Sequence, residues 1–190
     1  GGFTGVEAGD VVVASAAAAS TGMGPVLGQG EPTAPTADLE VTLALRDAAI
    51  ADGLKTHVGP IVTADVFYDA HPDGVTRWGT RGYLSVEMEA AALFLIAMRE
   101  QGRGREVRAG TILTVSDILR EAGEGAADEG GEELEQGRVL HHVVERALSH
   151  DLDGGPLVAL AGDDDKRHEL AVIARDPHEV EGAAVAQLEV

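Results

Sequence analysis

Cysteine is missing from the whole chain of 190 residues. Its absence excludes disulfides, thiolate metal sites and cysteine nucleophiles together. Lysine is nearly missing as well, with Lys55 and Lys166 alone. No apolar run reaches the roughly 20 residues of a membrane span; the longest, Val11 to Ala19 and Ala90 to Met98, fall well short. The first residues, Gly1-Gly2-Phe3, carry no basic region of the kind that opens a signal peptide. The expectation is a soluble, cytoplasmic protein with no membrane among its partners.

What the chain has in excess is acid. Against 14 Lys plus Arg stand 33 Asp plus Glu, a net charge of −19. Such a surface repels phosphate backbones and anionic lipid, so nucleic acid is excluded as a partner too. Abundant acid with almost no lysine is the composition expected in a salt-rich cytoplasm, where counterions screen repulsion within about 3 Å at 1 M. A halophile's enzyme is the reading this supports. The length suffices for one domain with a full core.

Valines dominate Val11-Val12-Val13-Ala14-Ser15-Ala16 after the turn signal Gly9-Asp10, which predicts a buried strand. Glycines and prolines between Thr21 and Thr36 predict a mobile loop. Gly22-Met23-Gly24 matches half of a dinucleotide fingerprint, but no third glycine stands at the required spacing and no helix is expected to follow at once. A helix is expected from about Ala37, capped by Thr36, with Asp38 and Glu40 in its first turn, a buried stripe at Val41, Leu45, Ala48 and Ala49, and a stop at Gly53. His57 to Tyr68 reads as a strand whose Pro60 demands a bulge or an edge. Asp69 to Gly82 reads as loop, Leu84 to Val86 as a short strand, Val107 to Asp117 as a strand with a polar tip, and Glu132 to Ser149 as a last helix. Strands alternating with helices predict an α/β fold with a largely parallel or mixed sheet. Residues 1–150 form that domain, and 151–190 are an acidic C-terminal extension, either an added hairpin or a tail.

The chain is organised around Leu84 to Met98, where Glu87-Met88-Glu89 precedes an unbroken apolar run. Two acids at an apolar helix mouth have two readings. In the first turn they gain from the helix dipole, a few tenths to about 1 kcal/mol. Alternatively, a carboxylate held there accepts two hydrogen bonds from a vicinal diol such as a ribose. Ligands of α/β sheets sit beyond the carboxyl ends of strands. That makes candidates of three strand tips together: Phe67-Tyr68, Glu87-Met88-Glu89 and Ser116-Asp117.

Three segments, Val86-Glu87-Met88-Glu89-Ala90-Ala91, Thr63-Ala64-Asp65-Val66-Phe67-Tyr68 and Leu113-Thr114-Val115-Ser116-Asp117, resemble in order and spacing the nucleoside phosphorylase family, which includes purine nucleoside and uridine phosphorylases. Gly1-Gly2-Phe3 with Val6 to Val13 resembles the segment that follows that family's phosphate-binding Arg-x-Gly-Thr stretch. The resemblance covers about Gly1 to Leu148 and implies an α/β fold of three layers, α/β/α, around a central mixed twisted sheet. It implies that Glu89 holds the ribose 2′ and 3′ hydroxyls, that Met88 packs on the sugar, that Glu87 and Val86 line the base pocket, and that Phe67 stacks on the base. Tyr68, Ser116 and Gly2 are implied as further substrate contacts. Asp117 is implied as the general acid toward N7 of a departing purine. The products are a free base and a (deoxy)ribose 1-phosphate.

The resemblance also implies inorganic phosphate as co-substrate, no cofactor and no metal, and a homo-oligomer, hexamer or dimer. The family's glycine-rich phosphate loop and arginines precede the segment matching Gly1, so a chain cut within its fold is expected. Uridine phosphorylases carry a Gln-x-Arg pair after their Phe-Tyr; His71 and Asp73 stand near those places, and Asp117 favours a purine. The alternatives are a uridine phosphorylase, a nucleosidase that uses water, and a catalytically dead nucleoside-binding module.

Overall fold

The computed structural model describes residues 1–66, 73–119, 142–144, 146–147, 157–162 and 172–173, the last two ranges by their backbone. Six strands form one sheet: β1 (Val11–Ser20), β2 (Thr56–Ala64), β3 (Val86–Glu87), β4 (Arg108–Thr114), β5 (Leu157–Gly162) and β6 (Val172–Ile173), in the order β3-β2-β1-β4-β5-β6. The pairs β1/β2, β2/β3 and β4/β5 are parallel, whereas β1/β4 and β5/β6 are antiparallel, so the sheet is mixed. The helices with full side-chain description are α1 (Met23–Leu27), α2 (Leu39–Ala51), α3 (Gly74–Gly79) and α4 (Ala90–Gln101). Among the described residues, no helix is long and apolar enough to cross a membrane.

The twofold period of a strand sends neighbouring side chains to opposite faces, and β1 shows what that achieves. Val11 and Val13 join Val41, Leu45, Ala48 and Ala49 of α2 in one cluster, with Val143, Val144 and Ala147 beside them. Val12, Ala14 and Ala17 join Ala90, Ala91, Phe94 and Ala97 of α4 in another. Helices therefore cover both faces. The step from Ala14 to Ala17 breaks the period because one residue is extra: the register with β2 shifts between Ala14 and Ala16, leaving Ser15 as a bulge opposite Gly59 and Pro60. Pro60 itself stays in a strand with neighbours on both sides. Its carbonyl accepts from Leu84 N–H at 2.9 Å, so its missing donor points to the flank where β3 has not yet begun.

The buried stripe of α2 and its stop match expectation, with Gly53 at φ 79 and Leu54 N–H returning to the Ala49 carbonyl at 3.1 Å. Its cap does not. Asp38, not Thr36, accepts from Val41 N–H at 3.0 Å, because Thr36 is held in a β-bridge with Ala16 and Asp38 N–H is bound to the Ala109 carbonyl. Two other expectations also change. Within Thr21 to Thr36 the chain forms α1, where Pro25 falls in the first turn and no intrahelical donor is lost. This removes one ground for setting aside a dinucleotide loop, although the third glycine is still missing. Within the expected Asp69 to Gly82 loop lies α3. At the sheet, α2 approaches β4 over Gly110, where any Cβ would collide with Val41 Cγ1. On the other face Phe94 is fully buried, and its truncation to alanine is expected to cost about 3–5 kcal/mol.

Candidate active site

The short strand β3 exists because β2 offers it a parallel edge. Val62 pairs with Val86 and Thr63 with Glu87, while Val62 N–H donates to the Ser85 carbonyl at 2.9 Å. The other flank of this segment is taken by the first three residues. Val86 N–H donates to the Gly1 carbonyl at 2.9 Å, and Phe3 N–H donates to the Leu84 carbonyl at 2.8 Å. Gly2 also bonds outward to the segment that follows β4: Gly2 N–H donates to the Asp117 carbonyl at 2.7 Å, and Leu119 N–H to the Gly2 carbonyl at 2.9 Å. Since Val115 is bonded to Gly9 and Asp10, the main-chain circuit from β3 through β2, β1 and β4 returns to β3 across Gly1–Phe3. Only glycine fits in the middle, because a Cβ on Gly2 would stand 2.6 Å from Val6 Cγ2 and 2.7 Å from Val115 Cγ1.

This circuit brings two of the three strand tips to one place. Val86, Glu87, Met88 and Glu89 leave one flank of Gly1-Gly2, and Ser116 and Asp117 leave the other. Phe67 and Tyr68, the third tip, lie outside the described residues, as does His71. Val86 is half-buried, Met88 is 37 % exposed and Asp117 has a side chain 52 % exposed. The Ser116 hydroxyl donates to Asp117 Oδ1 at 2.6 Å, which turns that carboxyl in one direction.

One of the two readings puts Glu87 and Glu89 in the first turn of the helix. Instead α4 starts at Ala90, Glu89 occupies the cap position without a side-chain cap bond, and Glu87 belongs to β3. The Glu87 carboxylate reaches forward: Oε2 accepts from Glu89 N–H at 2.7 Å and Ala90 N–H at 2.6 Å, and Oε1 accepts from the Thr63 hydroxyl. Thr63 Oγ1 accepts in turn from Ala91 N–H at 2.9 Å. Burial pushes the Glu87 carboxyl above its ordinary value; the Thr63, Glu89 and Ala90 donors oppose this without cancelling it, and the nearby Glu89 charge adds to the rise. Among the described residues, the Glu89 carboxylate accepts one bond, from Met88 N–H at 3.1 Å.

A second polar cluster stands at the opposite ends of β1 and β2. Asp10 Oδ2 accepts from Glu7 N–H at 3.0 Å and lies 2.7 Å from His57 Nε2 and 3.1 Å from Lys55 Nζ. Lys55 also reaches Glu7 Oε2 at 2.5 Å. Burial alone would raise the Asp10 carboxyl, but the Glu7 N–H, His57 and Lys55 outweigh it and hold the group below its ordinary value.

A family model described as the Phosphorylase superfamily matches residues 1–149. The chain belongs to this superfamily. Among its curated relatives, a purine nucleoside phosphorylase DeoD-type of Geobacillus sp. (strain WCH70) is 38% identical over 120 residues, which cover 63% of this chain and 48% of that protein. Proteins of the same name from Clostridium perfringens (strain SM101 / Type A) and Bacillus cereus (strain B4264) are 37% identical over 120 residues and 36% over 124, covering 49% and 51% of their lengths and 63% and 65% of this chain. The chain thus spans about half the length of the curated relatives it matches.

In this phosphorylase-superfamily chain, the motifs around Glu89 and Asp117 were legible one by one. No sequence motif marks Thr63 as the partner of Glu87. Its signal was weak: a hydroxyl residue late in an apolar strand, whose register with Glu87 is set by pairing across 24 positions.

Proposed function

We propose that this chain carries the nucleoside-binding and proton-donating half of a purine nucleoside phosphorylase. The observation that carries the reading is the main-chain junction at Gly1–Phe3, which puts Met88 and Glu89 on one flank of a glycine and Ser116 and Asp117 on the other. The names of the relatives support the substrate class.

In this reading Glu89 accepts from the ribose 2′ and 3′ hydroxyls, Met88 lies against the sugar, Val86 and Gly2 contact the nucleoside, and Phe67 and Tyr68 wall the base. The bond from the anomeric carbon to purine N9 breaks with its electron pair passing to the base. Asp117, oriented by Ser116, acts as the general acid that delivers a proton to N7, so the base leaves neutral. Inorganic phosphate attacks the anomeric carbon and yields (deoxy)ribose 1-phosphate. No metal or cofactor enters this scheme. A cytoplasmic homo-oligomer, dimer or hexamer, belongs to the same proposal.

The test is incubation with inosine in the presence and absence of phosphate, followed by chromatography of hypoxanthine and sugar phosphate. Phosphate-dependent release of hypoxanthine supports the reading. Equal release without phosphate overturns phosphorolysis in favour of hydrolysis, and preference for uridine overturns the purine assignment. Calorimetric binding of inosine without turnover would indicate a binding module.

A further inference from the structure

Of the two acids that bracket Met88, one is turned inward and the other outward. Both Glu87 oxygens are engaged within the chain: one by two successive backbone N–H groups at the start of α4, the other by Thr63. Thr63 takes a third N–H of the same helix end, that of Ala91, and is itself fully buried. Two side chains on adjacent paired strands thereby satisfy three donors that a helix start leaves without partners. Glu89, at the cap position, does none of this.

We infer that Glu87 and Thr63 are a positioning pair, fixing the bend from Val86 to Ala90 so that Met88 and Glu89 meet the sugar, while Glu87 takes no part in the base pocket. The inference rests on the nucleoside reading above and reassigns one residue within it. A carboxylate that bonds two consecutive N–H groups defines the backbone between them, and that backbone carries Glu89. Such a residue acts on sugar affinity through geometry, where displacement by about 1 Å is enough to matter. A base-lining residue acts on the base directly.

The test separates the two by ligand. Binding of inosine and of free hypoxanthine is measured by calorimetry for the wild type, E87A, E87Q and T63V, with thermal melting as a check on folding. Glutamine keeps an oxygen for the two N–H groups and turns its amide to Thr63. E87A is expected to weaken inosine about tenfold and T63V several-fold, through misplacement of Glu89. E87Q is expected to stay within about twofold of the wild type, with hypoxanthine binding unchanged in all three. T63V is nearly isosteric and carries the test where E87A does not fold. E87Q weakening inosine as far as E87A, or any variant weakening hypoxanthine, overturns the positioning role. A wild type that binds neither ligand overturns the nucleoside reading itself, and the inference with it.

Discussion

Strand β2 ends in a buried acid's network at each tip, and the two are built on opposite principles. At its start, Asp10 is 4 % exposed and surrounded by Lys55, His57 and a backbone N–H, so its carboxyl is held below the ordinary value. At its end, Glu87 has a hydroxyl and two N–H groups but no cation among its bonds, and its carboxyl is pushed up. The first network is closed on itself and clamps the Glu7 to Asp10 turn to β2. The second, made of hydrogen bonds alone, ties β3 to the start of α4. In the first an ion cluster ties a turn to a strand, whereas in the second a hydrogen-bonded carboxyl sets the bend that carries Met88 and Glu89, the residues proposed to meet the sugar.

The largest break in this contrast is expected from Asp10→Ala. Loss of an acceptor shared by three donors, two of them able to carry charge, should cost about 3 kcal/mol in urea denaturation. Nucleoside binding by the folded fraction should be unaffected. Glu89→Ala should do the converse, weakening inosine binding about tenfold, or about 1.4 kcal/mol, while melting stays within about 0.5 kcal/mol of the wild type.

A smaller effect distinguishes the two carboxyls by pH. Asp10 titrates lower in the folded state, so its contribution is present above its ordinary value of 3.8 and is lost as pH falls through the lower folded value. Glu87 titrates higher in the folded state, so between its ordinary value of 4.5 and its raised folded value the native protein binds more protons than the unfolded chain. Stability from this group falls as pH rises through that window. Melting curves of E87Q and the wild type should therefore separate above pH 4.5, with E87Q the more stable. Curves that stay parallel would remove the contrast.

The smallest and most diffuse effect concerns salt. The exposed Lys55 pairs should weaken in KCl, while the repulsion within a chain of net charge −19 is relieved. Melting temperature should rise between low salt and about 1 M KCl. No change would count against a halophilic origin.

Much of this was legible locally. The stripe Val41, Leu45, Ala48, Ala49 repeats at helical spacing and is the buried face of α2. The valines of β1 and the apolar run of α4 were equally plain. Alternation of strands and helices allowed a largely parallel or a mixed sheet, and the antiparallel pairing of β1 with β4 makes it mixed. Legibility failed where two local signals competed or where a partner was remote. Thr36 and Asp38 are both good caps, and only the bridge to Ala16 decides between them. Prolines and glycines hid α1 and α3, since punctuating residues are tolerated in a first turn. Gly9-Asp10 read as a turn, yet Asp10 meets His57 across 47 positions. At the site, the residue types of Glu89 and Asp117 were readable, but not the glycine segment that joins their strands.

That joining segment has a cost if it is ever lost. Gly1–Phe3 is bonded along both sides, and cleavage behind it would strip partners from two strand margins in one stroke, at residues 84–86 and at 117–119. Bare margins recruit neighbours. The same nick that undoes the proposed nucleoside site would thereby seed intermolecular pairing, so loss of inosine binding and onset of aggregation should rise together on a proteolysis time course.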